Sequence, residues 1–207
     1  MGKPFLHEVA TEKKIARMAS GGLFNIVVSN DKKSIYSWGV NDEGQLGRDG
    51  EETTPEAVKR GEMKKEDEVE MLAAGDCHAV IVTASGTVYC WGTYRDSRGI
   101  LGYNYHMRQQ DTPTEIKFPK GTKVVRVSCG ENHTLAMTSD HNVFGWGCAE
   151  QGQLVFHMKE SMRRRALTPH PIAFYEGRKK VKIENMWAGG MHSLFVLENG
   201  HVYVMID

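Results

Sequence analysis

The stretch Ala74-Gly75-Asp76-Cys77-His78-Ala79-Val80-Ile81-Val82-Thr83-Ala84-Ser85-Gly86-Thr87-Val88-Tyr89-Cys90-Trp91-Gly92 decides the fold. A Gly-x-x-His corner leads into a short apolar run. The turn Ala84-Ser85-Gly86 follows, and a second run ends in Trp-Gly. Runs of this length, rich in β-branched and aromatic residues and joined by a glycine-bearing turn, read as an antiparallel hairpin. The pattern recurs. Ala19-Ser20-Gly21-Gly22 precedes Asn25-Ile26-Val27-Val28 and Ile35-Tyr36-Ser37-Trp38-Gly39. Cys129-Gly130-Glu131-Asn132-His133 precedes Leu135-Ala136-Met137 and Val143-Phe144-Gly145-Trp146-Gly147. Ala188-Gly189-Gly190-Met191-His192 precedes Leu194-Phe195-Val196-Leu197 and Val202-Tyr203-Val204-Met205. The aligned glycines at 21, 75, 130 and 189 give spacings of 54 to 59 residues.

Further strands lie before most corners, as in Glu68-Val69-Glu70-Met71-Leu72 and Lys123-Val124-Val125-Arg126-Val127. Three to four strands per unit at this period fit a propeller blade better than a sandwich. Tryptophan-aspartate repeats are shorter and end differently; kelch repeats carry paired glycines that the middle units lack. The expected fold is all-β: about three to four blades of four-stranded antiparallel sheet, built of repeats across residues 1–207. Composition agrees, because 22 glycines against 6 prolines suit many tight turns, and 40% hydrophobic residues suffice for a core in 207 residues.

The 26 basic residues balance 26 acidic ones, which excludes a uniformly basic nucleic-acid binder or an acidic disordered tail. No apolar run is long enough to cross a bilayer, and Met1–Ser20 has no signal-peptide character, so the reading is a soluble intracellular protein with no membrane partner. Cysteines 77, 90, 129 and 148 form no Cys-x-x-Cys pair and read as reduced thiols. No metal-ligand spacing, phosphate loop or nucleophile elbow occurs, so neither a metal, a cofactor nor covalent catalysis is expected.

After Trp-Gly, Asn41-Asp42-Glu43-Gly44-Gln45-Leu46-Gly47 matches Ala149-Glu150-Gln151-Gly152-Gln153-Leu154, with Val155 in place of the last glycine. The second unit carries Tyr94-Arg95-Asp96-Ser97-Arg98-Gly99-Ile100-Leu101-Gly102 instead. Gly-x-x-His, Val-Tyr-x-Trp-Gly and Gly-Gln-Leu-Gly at this spacing resemble the repeats of the regulator of chromosome condensation family. The resemblance covers about Pro4 to Tyr203 and implies part of a seven-bladed propeller. It also implies a guanine-nucleotide exchange factor for the small GTPase Ran, acting on chromatin in the nucleus and supporting nucleocytoplasmic transport and spindle and nuclear-envelope assembly. Such a factor makes no covalent bond. The alternative is a non-exchanging propeller scaffold, for example a module of a ubiquitin ligase.

The resemblance identifies Tyr94, Arg95, Asp96, Ser97, Arg98 and Gly99 as a β-wedge that presses on the GTPase; the plain alternative is a surface turn between strands. Asp76 and Asn132 fall at the corners facing the GTPase, where Asp76 could equally cap its own turn. Asn132 stands where the exchange factor has an aspartate, and Phe24 stands where the other units have histidine. The histidines at 78, 133 and 192 recur at one position, which favours a shared structural role. In the segment Met158–Lys182, Arg163, Arg164 and Arg165 resemble an arginine-bearing loop that grips the histone acidic patch; the competing readings are a solvated face or contact with DNA. Few apolar anchors flank the three arginines, so all three are expected to be exposed. The run Arg178-Lys179-Lys180-Val181-Lys182 fits an import signal but also the start of a strand. Only three to four blades fit in this length, and the last unit lacks its Trp-Gly, so the chain reads as a fragment or as one that needs a second chain to close.

Overall fold

A computed structural model describes residues 14–156 and 159–206. Each repeat forms one antiparallel sheet. The first contains β1 (Ile15–Ser20), β2 (Phe24–Ser29), β3 (Ile35–Gly39) and β4 (Glu56–Ala57), in that order. The second contains β5 (Val69–Ala74), β6 (His78–Thr83), β7 (Val88–Gly92) and β10 (Gln110–Glu115). The hairpin β8 (Tyr94–Asp96) and β9 (Gly99–Gly102) is inserted before its outer strand. The third contains β11 (Val124–Cys129), β12 (His133–Thr138), β13 (Val143–Gly147) and β14 (His170–Ile172). A small hairpin, β15 (Phe174–Glu176) and β16 (Lys179–Val181), leads to the fourth sheet. That sheet holds β17 (Ile183–Ala188), β18 (Ser193–Leu197) and β19 (Val202–Met205). Three sheets thus have four strands and the last has three among the described residues.

The first strands of successive sheets, β1, β5, β11 and β17, are neighbours, which sets the sheets as blades around a common side. Each carries an irregularity at the same place, between Ile15 and Arg17, Val69 and Met71, Val124 and Arg126, and Ile183 and Asn185. Such bulges increase local twist, as the innermost strand of a blade requires. Within the described strands, proline occurs only in outer ones, Pro113 in β10 and Pro171 in β14, where a missing N–H is tolerated.

The core lies in the seams between blades. Phe24, Ile26 and Val28 of the first blade pack with Ala79, Ile81, Tyr89 and Trp91 of the second. Val80, Val82 and Cys90 on the other face of the second blade pack with Ala136 and Trp146 of the third. Leu135 and Met137 pack with Phe195 and Leu197 of the fourth. Because side chains alternate across a strand, β6 feeds two seams and is buried at every position, hence its unbroken apolar run. In β18 only alternate residues are buried.

The segment following β13 differs from the expected loop. Residues Glu160–Leu167 form a 3-10 helix, and β14, β15 and β16 follow. Ala166 and Leu167 are fully buried, one in each of two adjacent seams. These anchors draw the helix onto the blades, so the three arginines are not equally exposed: Arg165 is exposed, whereas Arg163 and Arg164 are half-buried. His157 and Met158 lie outside the described residues, as do residues 1–13.

Candidate functional site

The corners come first, since they set the seams on which the site stands. In each blade the corner glycine has no room for a Cβ, because the ring of the residue three positions on lies against it: Phe24, His78, His133 or His192. His78 Nε2 lies 3.0 Å from Thr134 Oγ1, and His133 Nε2 lies 3.0 Å from Ser193 Oγ, each in the next blade. Both rings are fully buried, and burial lowers their pKa values, to about 3 for His78 and about 4 for His133. They are neutral seam pins, which is the structural role expected. At the residue that would receive Phe24 stands Ala79, so an apolar ring is matched by an apolar neighbour. The backbone completes the pinning: Asp76 N–H donates to Glu131 O at 2.8 Å and Glu131 N–H to Gly190 O at 3.0 Å.

The Gly-Gln-Leu segments form a second repeated device. Gln45 Oε1 accepts from Glu43 N–H at 2.9 Å, and Gln153 Oε1 accepts from Gln151 N–H at 2.8 Å. Trp91 of the second blade donates its Nε1–H to Gln45 O of the first at 2.9 Å. In the second blade the β8–β9 hairpin replaces this segment, and Trp146 Nε1, buried in the next seam, has no acceptor among the described residues.

The hairpin itself pairs Tyr94 with Gly102, Arg95 with Ile100, and Asp96 with Gly99, with Ser97-Arg98 as a two-residue turn. Gly99 has a φ of +109°, which an L side chain rarely adopts, so the turn requires glycine there. Among the described residues no blade strand pairs with the hairpin; it is a separate sheet. Its root is apolar. Tyr94 is fully buried, its ring 4.3 Å from that of His78 and its hydroxyl 3.1 Å from Thr134 Oγ1. Tyr94 is therefore an anchor and not a surface for a partner.

Its tip is held by side chains from four neighbouring segments. Asn132 Oδ1 accepts from Arg95 N–H at 2.8 Å. Glu150 accepts from Ser97 N–H at 2.8 Å and from Ser97 Oγ at 3.0 Å. The Arg95 guanidinium pairs with Glu43 of the first blade. Asp96 Oδ1 accepts from Arg98 N–H at 3.0 Å, and its other oxygen pairs with Arg163 of the 3-10 helix. Ser97 and Arg98 are exposed at the tip, and Arg95 is half-exposed. A 170 Å³ cavity opens beside it, lined by Arg95, Glu131, Asn132, Glu150, Gln151 and Met191 among others. Asp76 lies at the adjacent corner. Its carboxylate makes no hydrogen bond among the described residues; burial raises its pKa, partly offset by the charge of Arg95. The Cys77 thiol beside it is pushed up to about 12 by burial and the Glu43 carboxylate, and is no nucleophile.

The structure thus joins residues 94–99 with Asn132, Asp76 and Arg163 around one hairpin. Asn132, expected to face a partner, spends its carbonyl oxygen on the hairpin backbone. Arg164 packs against Gly102 and lies 3.5 Å from Asn104 O, and Arg165 stands outside the cluster. Glu43 and Glu150 were missed. Both lie in the repeated Gly-Gln-Leu segments, whose regularity pointed to structure and not to the neighbouring insertion.

Blades pinned at their corners, with one seam segment replaced by a braced hairpin exposed at its tip, define part of a β-propeller. The sequence pattern of the RCC1-like domain matches residues 2–205, and the chain belongs to that family. It is 31% identical to the Regulator of chromosome condensation of Xenopus laevis over 97% of the chain and 48% of that protein. It is 30% identical to the Guanine nucleotide exchange factor SRM1 of Saccharomyces cerevisiae over 82% of the chain and 40% of that protein. The chain therefore spans about half the length of the curated relatives it matches or less. Among solved structures, Prp20p from Saccharomyces cerevisiae, described with its binding properties to Gsp1p and histones, superposes with a TM-score of 0.74 at 26% identity. That match covers 93% of this chain and 57% of Prp20p.

Proposed function

We propose that this chain carries the wedge-bearing part of a guanine-nucleotide exchange factor for a Ran-type GTPase, working at chromatin in the nucleus without covalent chemistry. The observation that carries the reading is the braced hairpin: it protrudes from a rigid seam, keeps Ser97 and Arg98 at its tip, and is held from several sides. An exchange factor must bind the nucleotide-free GTPase more tightly than the loaded form. A stiff protrusion serves this, because an element that yields on contact transmits no strain to the phosphate-binding loop and its magnesium. The SRM1 and Prp20p relationships support the same assignment.

The test is release of labelled GDP from the GTPase, with binding of the nucleotide-free GTPase read in parallel. Acceleration by the chain, lost when Arg95, Asp96 and Arg98 are replaced by Ala together, is the expected result. A chain that neither accelerates release nor prefers the nucleotide-free GTPase is a propeller scaffold instead. For chromatin, the exposed cations after β13 include Arg165 on the 3-10 helix and Arg178, Lys179 and Lys180 on the β15–β16 hairpin. An exposed arginine suits bidentate pairing with the histone acidic patch, whereas DNA phosphate would give binding that weakens steeply with salt. Nucleosomes with a neutralised acidic patch distinguish the two.

A further inference from the structure

We infer that Arg163 is a positioning residue of the wedge and not a contact for an acidic partner, so that the arginine run divides its labour: Arg163 braces the hairpin while Arg165 faces outward. This rests on the exchange reading only for its functional consequence; the bracing itself is a property of the chain.

The β8–β9 hairpin has three residue pairs and, among the described residues, no blade strand paired with it. An isolated hairpin of that size is at best marginal in water, so its geometry must come from what grips it. Tyr94 and Leu101 grip the root. At the tip, the Asp96 side chain is only 1% exposed, although it is a carboxylate. A carboxylate is held in such a place only if it is paired and its oxygens are hydrogen-bonded. Both conditions are met here, by the Arg98 N–H on one oxygen and by Arg163 on the other. Arg163 comes from 67 residues away and is itself 31% exposed. Asp96, Glu150 and Arg163 line one small cavity. Without the guanidinium, two carboxylates would face each other there. The cheapest relief would be for Asp96 to swing out to water, and the Arg98 N–H bond that shapes the turn would go with it.

An arginine already committed to a buried carboxylate is poorly suited to a second one. Arg165 has no such commitment: among the described residues its side chain pairs with no carboxylate, and it is exposed.

The experiment compares Arg163→Ala, Arg163→Lys, Asp96→Asn and Arg165→Ala in the 207-residue chain by amide hydrogen exchange. Protection of the Ser97 and Arg98 amides should fall about tenfold or more in Arg163→Ala and in Asp96→Asn, recover in part in Arg163→Lys, and stay at the parental level in Arg165→Ala. The double variant Asp96→Asn/Arg163→Ala should lose no more than the worse single one, because the two residues act as a pair. If Arg163→Ala unfolds the chain, the near-isosteric Asp96→Asn decides. Nucleosome affinity should stay within about twofold of the parent in Arg163→Ala and fall in Arg165→Ala. In the exchange assay, Arg163→Ala should lower the maximal rate of GDP release more than it shifts the half-saturating GTPase concentration. Unchanged hairpin protection in both Arg163→Ala and Asp96→Asn overturns the inference, as does a loss of nucleosome affinity in Arg163→Ala equal to that in Arg165→Ala. Loss of protection in a chain that shows no exchange activity would overturn the proposed function and leave the bracing role standing.

Discussion

Val155 has a φ of +65°, matching Gly47 at +67° in the equivalent segment of the first blade. The hydrogen bonds match as well: Val155 N–H to Gly152 O at 2.9 Å and Gly47 N–H to Gly44 O at 3.0 Å. The fold imposes the same left-handed turn on both, and in the third blade a β-branched residue has to adopt it. For an L residue this conformation costs roughly 1–2 kcal/mol, and a β-branched side chain is among the least suited to it. Val155→Gly should therefore stabilise the chain by about 1 kcal/mol, somewhat offset by the greater freedom glycine gives the unfolded chain. Urea denaturation of the two proteins measures this; a destabilised glycine variant would mean that the partly buried Val155 side chain contributes more by packing than its backbone costs.

At the scale of the element, each seam is closed by a matched pair. His78 meets Thr134, His133 meets Ser193, and Phe24 stands opposite the position of Ala79. The two buried histidines stay neutral in the folded state down to about pH 3 and 4, against about 6.5 in the unfolded chain. Their contribution to stability is therefore complete above about pH 6.5. It is lost as pH falls from there towards 4, because the unfolded chain takes up two protons that the folded chain refuses. The expected slope is about 1.4 kcal/mol per pH unit for each histidine in that window. The double variant His78→Phe/Thr134→Ala rebuilds the second seam on the pattern of the first. It should roughly halve the slope between pH 6 and 5, as read from denaturation at several pH values. An unaltered slope would show that other groups carry the acid sensitivity.

For the whole molecule, stability is distributed seam by seam. The second and third blades are covered on both faces. The fourth exposes Trp187, Met191, Val202 and Val204, and the first exposes Met18 and Leu23. Stacked repeats of this kind gain most of their stability from neighbour interfaces. Amide exchange should therefore be slowest in Ala79–Val82 and Leu135–Met137 and fastest in Val202–Met205, the exposed edge of the fourth sheet among the described residues. Uniform protection across the four blades would show that the chain opens only as a unit.

The repeats themselves were legible because a blade is a local structure: a corner, a hairpin and a turn use residues close in sequence, so spacing and alternation announce them. The position of the inserted hairpin was legible too, as an interruption of a regular pattern, and family resemblance supplied its name. What holds that hairpin was not. Glu43, Asn132, Glu150 and Arg163 reach it from segments that lie more than thirty residues away in sequence. A charge run such as Arg163-Arg164-Arg165 looks the same in sequence whether its members face solvent or a buried carboxylate. Only the burial of Ala166 and Leu167 in two seams turns the 3-10 helix so that Arg163 meets Asp96 and Arg165 faces outward. Local periodicity determined the blades, and long-range packing decided which charged side chain does what, because the cost of burying a charge depends on neighbours that the order of residues does not display.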